Sequence, residues 1–192
     1  LGAALVAHRR LTGRAAPRLR GDAYLGPEIG GAEVREALET RAADLRAAGC
    51  RVDWPAPDEM AQAAARALAD GELVGWVQGR MEWGPRALGA RSLLADPRRP
   101  DVRDVLNCRI KRREAFRPFA AAVLQESMAD WFETDQDLPW MSIAVPVRAA
   151  RRAQVPAVVH ADGTCRPQSV SSAEAPRFHD LIARFAQLTG VP

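Results

Sequence analysis

The chain of 192 residues is 47% hydrophobic and 27% charged, with a net charge of +3. These values predict one folded domain, or one and a fraction, and exclude wholesale disorder and collagen-like order. No apolar run reaches the roughly 20 residues that a membrane-spanning helix needs, so we expect no membrane partner. The widely spaced Cys50, Cys108 and Cys165 form neither a disulfide framework nor a zinc cluster, which indicates a reducing, cytoplasmic compartment.

The first half of the chain is predicted to be mainly helical. Apolar periodicity predicts helices over residues 1–11, 32–48 and 57–69, with a connector rich in glycine over residues 12–31. Two short apolar runs predict strands, over residues 50–54 and 73–78.

The second half mixes short strands with helices. Strands are predicted over residues 92–95, 119–124, 141–147 and 157–160, and helices over residues 100–110 and 176–189. Ser127 and Asp130 have the spacing of a capping box that opens a short helix. An Asp162-Gly163 turn into residues 165–170 is typical of a hairpin. Together these elements predict an α/β or α+β domain with a mixed sheet.

Positive charge is concentrated in one window of the chain. Residues 79–118 hold 11 basic and 5 acidic residues, a net charge of +6, so the rest of the chain carries −3. Such a concentration favours an anionic ligand at this window rather than a uniformly basic surface.

A motif rich in glycine follows the strand predicted over residues 73–78. It is not a P-loop, because Ala90 stands where that motif requires lysine. Glycines interleaved with Arg86 and Arg91 still let backbone N–H groups approach an anion closely. The alternative is a tight structural loop whose arginines are exposed.

A second basic segment covers residues 109–117, with five cations in nine positions. Arginine offers a rigid fork for two phosphate oxygens, whereas Lys111 supplies a compact point charge. Arg117 precedes a proline and is therefore expected to be extended, with its side chain directed into a cleft. The alternative is a charged helix end that complements the helix dipole.

Other polar candidates are isolated in the sequence. Arg166 follows the Asp162-Gly163 turn and, taken alone, is typical of an exposed arginine. His160 is either a ligand or, as the simpler interpretation, a structural histidine. No metal-ligand spacing and no nucleophile–histidine arrangement is recognisable in the sequence.

Several motifs together resemble the ATP-dependent O-carbamoyltransferase family, which includes nodulation-factor and antibiotic-tailoring enzymes. The resemblance is strongest over residues 79–92 (GRMEWGPRALGARS) and 110–120 (IKRREAFRPFA). It continues through shorter matches at residues 24–28, 94–98, 106–107 and 160–164, and at Arg166 and Gln168.

The resemblance implies a two-part enzyme, of which this chain is the second part. In that family an N-terminal metal-dependent domain of the actin-like fold transfers the carbamoyl group. A C-terminal domain similar to the YrdC synthases makes carbamoyl-adenylate from ATP and carbamoyl phosphate. Residues 1–20 are then a remnant of the preceding domain or a linker. Residues 21–192 are then a YrdC-like domain, a twisted mixed sheet flanked by helices, incomplete at its C-terminus.

The resemblance also implies site residues and ligands. The residues expected to bind carbamoyl phosphate and ATP are Arg86, Arg91, Ser92, Lys111, Arg117 and Arg166. Lys111 and Arg117 are expected to be catalytic. Mg²⁺ is expected to bridge the phosphates, and the metal of the transfer site and the acceptor, a natural-product hydroxyl, belong to the absent domain.

Two departures from the family pattern concern this site. Ala90 stands where the family has asparagine, and the chain stops at residue 192, where the family continues into a buried strand.

Two other functions are weighed against this one. The concentration of positive charge over residues 79–118 also suits a non-catalytic module that binds an anion or RNA. Of these partners, nucleic acid is the less expected one. A synthase acting in tRNA threonine chemistry is disfavoured because residues 79–92 resemble the O-carbamoyltransferases. The acceptor and the oligomeric state, including a homodimer, stay open.

Overall fold

The computed structural model describes residues 2–14 and 23–192. Its first half contains four helices: α1 (Gly2–Thr12), α2 (Gly31–Thr40), α3 (Ala42–Ala47) and α4 (Pro57–Ala69). The predicted bounds of α4 are confirmed, and so is the predicted helix at the start of the chain. Residues 15–22 of the predicted connector lie outside the described residues.

The helix predicted over residues 32–48 is divided into α2 and α3. At Arg41 the backbone leaves helical geometry, with φ −101° and ψ 11°. Neither helix buries a residue, so no packed face holds the two segments in one continuous helix.

The strand predicted over residues 50–54 is wrong. These residues are exposed and pair with no strand. Instead, the Cys50 N–H donates to the Leu45 carbonyl oxygen at 2.9 Å and closes the end of α3. The exposed Trp54 ring is covered by the Arg35 guanidinium, 4.4 Å from its centroid.

The central part of the chain contains one antiparallel strand pair. Strands β1 (Val74–Val77) and β2 (Arg91–Leu94) pair from Val74 opposite Leu94 to Val77 opposite Arg91. Residues 79–90 connect these strands and carry the glycine motif. Both predicted strands are confirmed, β2 beginning one residue earlier.

The predicted helix over residues 100–110 is present with altered geometry. Helix α5 (Val102–Asp104) continues directly into a π-helical turn, Val105–Ile110. A π-helical turn widens the backbone spiral and often occurs beside functional sites. Strand β3 (Ala122–Leu124) follows after the basic segment.

The capping box predicted at Ser127 is wrong. A 3₁₀ turn, Gln125–Ser127, leads into helix α6 (Met128–Trp131), and the Ser127 side chain makes no capping hydrogen bond. With φ −97° and ψ −3°, Ser127 is not in the extended conformation that a capping side chain needs.

The last third contains three short strands and one long helix. These are β4 (Val145–Pro146), β5 (Thr164–Cys165), β6 (Gln168–Val170) and α7 (Pro176–Thr189). β4 pairs antiparallel with β5, and β3 pairs parallel with β6. The predicted strand over residues 141–147 is therefore reduced to its end, and the predicted bounds of α7 are confirmed.

The turn predicted at Asp162-Gly163 is confirmed, but the hairpin is wrong. The His160 N–H donates to the Thr164 carbonyl oxygen at 2.8 Å, and Gly163 adopts φ +80°. Residues 157 and 158 lie in a turn, and residues 159 and 160 form no strand. β5 and β6 pair with β4 and β3 instead.

The described residues thus form a mixed α+β fold, which confirms the predicted class. Their strands are divided among three two-stranded sheets. The core is built where α4 packs on α7, around Ala65, Phe178 and Leu181, each no more than 2% exposed. A small second cluster contains Val102 and Leu106.

Gly89 is the point where the loop over residues 79–90 meets this core. It adopts φ +99°, and a Cβ atom there would overlap the Phe178 ring. Only glycine combines the positive φ with so close an approach.

We predict that Gly89→Ala destabilises the domain by about 3 kcal/mol, from strained backbone and an overpacked Phe178 contact. Urea unfolding followed by circular dichroism measures this change. Gly75→Ala is the matched control, since a Cβ at Gly75 meets nothing within 4 Å and its φ is not positive. Equal stability of the two variants would contradict the role given to Gly89.

Candidate functional site

A cavity of about 330 Å³ lies beside the core. Its interior is apolar, with walls from α4, β3 and α7, including Leu68, Val123 and Phe185. Its polar edge comes from the two segments that sequence analysis singled out, residues 79–92 and 109–117. An apolar pocket with a few converging polar groups is the usual form of a small-molecule site.

Among the described residues, three cations line this cavity. Arg86 comes from the loop between β1 and β2, and Lys111 and Arg113 come from the basic segment after the π-helical turn. Ser92, on β2, also lines the cavity, and its hydroxyl accepts a hydrogen bond from the Gly89 N–H at 3.0 Å. The structure therefore brings together Arg86, Ser92 and Lys111 of the predicted set.

The loop that carries Arg86 is organised around the buried carboxylate of Glu82, which is 7% exposed. One carboxylate oxygen accepts hydrogen bonds from the N–H groups of Leu88 and Ala90 at 2.7 Å and Arg91 at 3.1 Å. From the sequence, such backbone N–H groups were expected to approach an external anion. In the structure they donate instead to the protein's own Glu82 carboxylate.

Burial raises the pKa of Glu82, but the backbone donors from Leu88, Ala90 and Arg91 outweigh it and hold the pKa below its ordinary value. Glu82 is therefore ionised at neutral pH. Its charge is matched by peptide dipoles within the loop.

Long-range hydrogen bonds complete the same loop. The Leu88 carbonyl oxygen accepts hydrogen bonds from the Tyr24 hydroxyl at 2.8 Å and from Gln168 Nε2 at 2.9 Å. Both partners lie in segments that carried the family resemblance. The loop is thus joined to a segment before α2 and to β6.

Arg91 lies outside the cavity lining. Its guanidinium donates to the carbonyl oxygens of Gln78 and Ala90 at 2.8 Å and of Gly79 at 3.0 Å. These bonds join the two ends of the loop, so Arg91 holds the loop rather than facing the cavity.

The basic segment is held by Asn107, a fully buried residue of the π-helical turn. Its Nδ2 donates to the carbonyl oxygens of Ala115 at 3.1 Å and Arg117 at 3.0 Å. Its Oδ1 accepts a hydrogen bond from Arg113 Nε at 2.7 Å.

Phe119 lies beneath two of the lining cations. The Arg113 guanidinium carbon is 4.8 Å from the ring centroid, and the Lys111 ammonium is 6.0 Å from it. Both distances allow a cation–π attraction. The ring keeps the two cations at one edge of the cavity.

Arg166 lies near Arg86 without lining the cavity. Burial lowers the pKa of Arg166, and the nearby positive charge of Arg86 lowers it further. Its buried Nε has no hydrogen-bond partner among the described residues. Burial also raises the pKa of neighbouring Cys165 to about 11, so this thiol is not nucleophilic at neutral pH.

Arg117 is exposed and does not line the cavity. Its Nε lies 2.8 Å from a carboxylate oxygen of Glu114. The structure therefore does not bring Arg117 together with the other predicted cations, although its neighbour Pro118 lines the cavity.

His160 has a structural partner in the turn before β5. Its Nδ1 lies 3.0 Å from the Thr164 hydroxyl oxygen. Within the described residues, no group of three or more His, Cys, Asp or Glu side chains is arranged to hold a metal ion. None of the described helices is long and apolar enough to cross a membrane.

Sequence reasoning missed Glu82, Asn107 and Arg113 as residues of this site. Each lies inside a motif that carried the family resemblance. Glu82 is an acidic residue within an otherwise basic glycine loop, which was the available signal for it. The contacts of Asn107 and Arg113 depend on the π-helical geometry, which no local sequence pattern predicts.

The fold and site define a mixed α+β domain with cations along one edge of an apolar cavity. The family model described as Carbamoyltransferase C-terminus matches residues 65–192. The chain therefore belongs to the carbamoyltransferase family, as its C-terminal region.

Curated relatives agree with this assignment. Nodulation protein NolNO of Sinorhizobium fredii is 43% identical over 196 residues, covering all of this chain and 28% of that protein. Nodulation protein NolO of Bradyrhizobium diazoefficiens is 42% identical, covering all of this chain and 34% of that protein. The 3'-hydroxymethylcephem-O-carbamoyltransferase of Amycolatopsis lactamdurans is 44% identical over 125 residues, covering 65% of this chain and 24% of that protein. The chain thus spans about a third or less of these relatives.

We predict that Glu82→Gln destabilises the domain by about 2 kcal/mol at pH 7, because charge-assisted hydrogen bonds to the loop are lost. The folded pKa of Glu82 is lowered, so its stabilising effect is present above the ordinary carboxyl pKa of about 4.3. The effect is lost as the pH falls through the folded pKa.

Urea unfolding of both proteins between pH 7 and pH 3 measures this difference, which should shrink in acid. The control is Glu133→Gln, at an exposed position. A stability difference for Glu82→Gln that does not change with pH would contradict the ionised carboxylate.

Proposed function

We propose that this domain binds carbamoyl phosphate and ATP and forms carbamoyl-adenylate for transfer to a hydroxyl group. The observation that carries the proposal is the convergence of Arg86, Lys111 and Arg113 on one apolar cavity in a member of the carbamoyltransferase family. The cephem O-carbamoyltransferase relative supports a hydroxyl acceptor. The binding site for the acceptor is proposed to lie in the part of the longer protein that this chain does not span.

The electrostatics of the cavity suit two polyanions. Carbamoyl phosphate and ATP repel each other, and cations at fixed positions offset that repulsion and orient the reacting atoms. The buried Nε of Arg166 has no hydrogen-bond partner among the described residues, and its charge lies near that of Arg86, so an anion at this edge would be attracted to both. Apolar walls beside the cations give a lower local dielectric than bulk water, which strengthens these interactions.

The reaction is proposed to run in two steps. Water first cleaves carbamoyl phosphate to carbamate and inorganic phosphate. A carbamate oxygen then attacks the α-phosphorus of ATP, and the bond to the bridging oxygen breaks to release pyrophosphate. Lys111 is proposed to neutralise charge that develops on the phosphoryl oxygens. Mg²⁺ is proposed to arrive on the nucleotide phosphates, since Mg²⁺ is commonly held by substrate phosphates.

Arg117 keeps a proposed role in which its guanidinium turns from Glu114 to the bound anion. The ion pair that it leaves is exposed, and such pairs contribute only about 0–1 kcal/mol. Its adjacent Pro118 lines the cavity, so the backbone is already at the edge of the site.

The proposal predicts saturable binding of carbamoyl phosphate and of ATP to this chain, measured by calorimetry at two salt concentrations. Arg86→Ala should weaken the binding of carbamoyl phosphate by about tenfold to a hundredfold, as expected for the loss of one charged hydrogen bond. Arg112→Gln is the matched control, because Arg112 is exposed and does not line the cavity. Equal affinities for the two variants would contradict the proposed site.

RNA is the competing ligand to titrate. Affinity for a mixed RNA that falls steeply with salt and is indifferent to carbamoyl phosphate would favour the RNA-binding module instead.

The role of Arg117 makes a separate prediction. Arg117→Ala should weaken carbamoyl phosphate binding about tenfold, whereas Glu114→Gln should strengthen it because the guanidinium is released. The same calorimetric titration measures both variants. Unchanged affinity in Arg117→Ala would remove Arg117 from the site without affecting the assignment of Arg86 and Lys111.

A further inference from the structure

We infer that Asn107 is a positioning residue of the anion site, acting through Arg113. The inference rests on the proposed function, because Arg113 lines the same cavity. Asn107 would not contact the ligand itself. It would hold Arg113, the cation that does contact the ligand.

The first observation is that the buried amide of Asn107 is committed entirely to the basic segment. Its surface exposure is 0%. Its three hydrogen bonds reach Arg113, Ala115 and Arg117, all within the segment that follows the π-helical turn. A buried side-chain amide with both N–H groups and its oxygen in use has one orientation only.

The second observation concerns the state of Arg113. Its Nε is bound to Asn107 Oδ1 at 2.7 Å, and its guanidinium carbon lies 4.8 Å from the centroid of the Phe119 ring. Two contacts at different points therefore fix the guanidinium plane. The two terminal nitrogens have no hydrogen-bond partner in residues 23–192 and remain for a ligand at the cavity.

This arrangement suits a phosphoryl group. Two terminal guanidinium nitrogens match two oxygens of a phosphate ester or anhydride. An arginine that is already held loses less side-chain entropy when the anion binds. Asn107 therefore raises affinity by preparing Arg113 before the ligand arrives.

Backbone hydrogen bonds distinguish the proposed positioning role of the Asn107 side chain from a role in folding alone. The Arg113 N–H donates to the Asn107 carbonyl oxygen at 3.0 Å, and the Lys111 N–H donates to the Leu106 carbonyl oxygen at 2.8 Å. These bonds hold the start of the segment without the Asn107 side chain. We therefore expect Asn107→Ala to fold, and to lose the orientation of Arg113 together with the two amide bonds to the Ala115 and Arg117 carbonyl oxygens.

A double-mutant cycle on this chain tests the inference, with carbamoyl phosphate titrated by calorimetry. In an Arg117→Ala background, which removes any effect of Asn107 on the Arg117 side chain, Arg113→Gln and Asn107→Ala should each weaken binding about tenfold. The double variant in that background should lose no more than about tenfold, because both then act through one guanidinium. Arg112→Gln, at the adjacent exposed position, should stay within about twofold of the unaltered chain.

An additive result, about a hundredfold in the double variant, would overturn the inference, since Asn107 would then act independently of Arg113. Unaltered affinity in Asn107→Ala would overturn it as well. A second measurement needs no change at Asn107. In the unaltered chain, hydrogen exchange at Arg113 Nε–H should be at least about tenfold slower than at Arg112 Nε–H, because only the first is hydrogen-bonded. Equal exchange rates would overturn the inference even if Asn107→Ala fails to fold.

The outcomes for the two proposals are distinct. If the unaltered chain binds carbamoyl phosphate but the cycle is additive, only the role of Asn107 fails. If it binds neither carbamoyl phosphate nor ATP, the proposed function fails. The double-mutant cycle is then repeated with pyrophosphate as the titrated anion, and this tests the role of Asn107 separately. If no anion binds, both proposals are overturned.

Discussion

The carboxylate of Glu82 is the constraint on which the candidate site depends. A loop of a dozen residues between two short strands has many backbone N–H groups and little core of its own. Glu82 accepts hydrogen bonds from three of those N–H groups, so the loop backbone turns toward its carboxylate. The Arg86 side chain then lines the cavity. An internal anion thus supports the geometry with which an external anion is proposed to be bound.

The basic segment uses the same strategy with a neutral group. Asn107 satisfies two carbonyl oxygens and one guanidinium from a fully buried position, and Phe119 supports the cations from below. In both segments one buried polar side chain replaces regular secondary structure. Fully satisfied buried polar groups of this kind specify a single backbone arrangement, since an unmade hydrogen bond in the interior is costly.

The sequence predicts elements best where local signals suffice. Helices α4 and α7 follow from periodicity with proline at the start, and their bounds were predicted correctly. The strands expected over residues 50–54 and 157–160 failed because a strand needs a partner that local sequence does not reveal. The same holds for the site: Arg86 and Lys111, both singled out from basic motifs, line one cavity. The carbonyl oxygens that hold Arg91 become visible only in three dimensions.

The two hydrogen bonds on the Leu88 carbonyl oxygen have a consequence for the order of folding. One donor, Tyr24, lies 64 residues before Leu88, and the other, Gln168, lies 80 residues after it. Contacts between such distant positions form slowly, because a long stretch of chain must be closed first. The segment that presents Arg86 is therefore expected to reach its final shape late, together with the packing of α4 on α7, whose Gln62 and Arg184 are 122 residues apart. A nascent chain would acquire its core and this loop only after the segments that carry Gln168 and α7 have been synthesised.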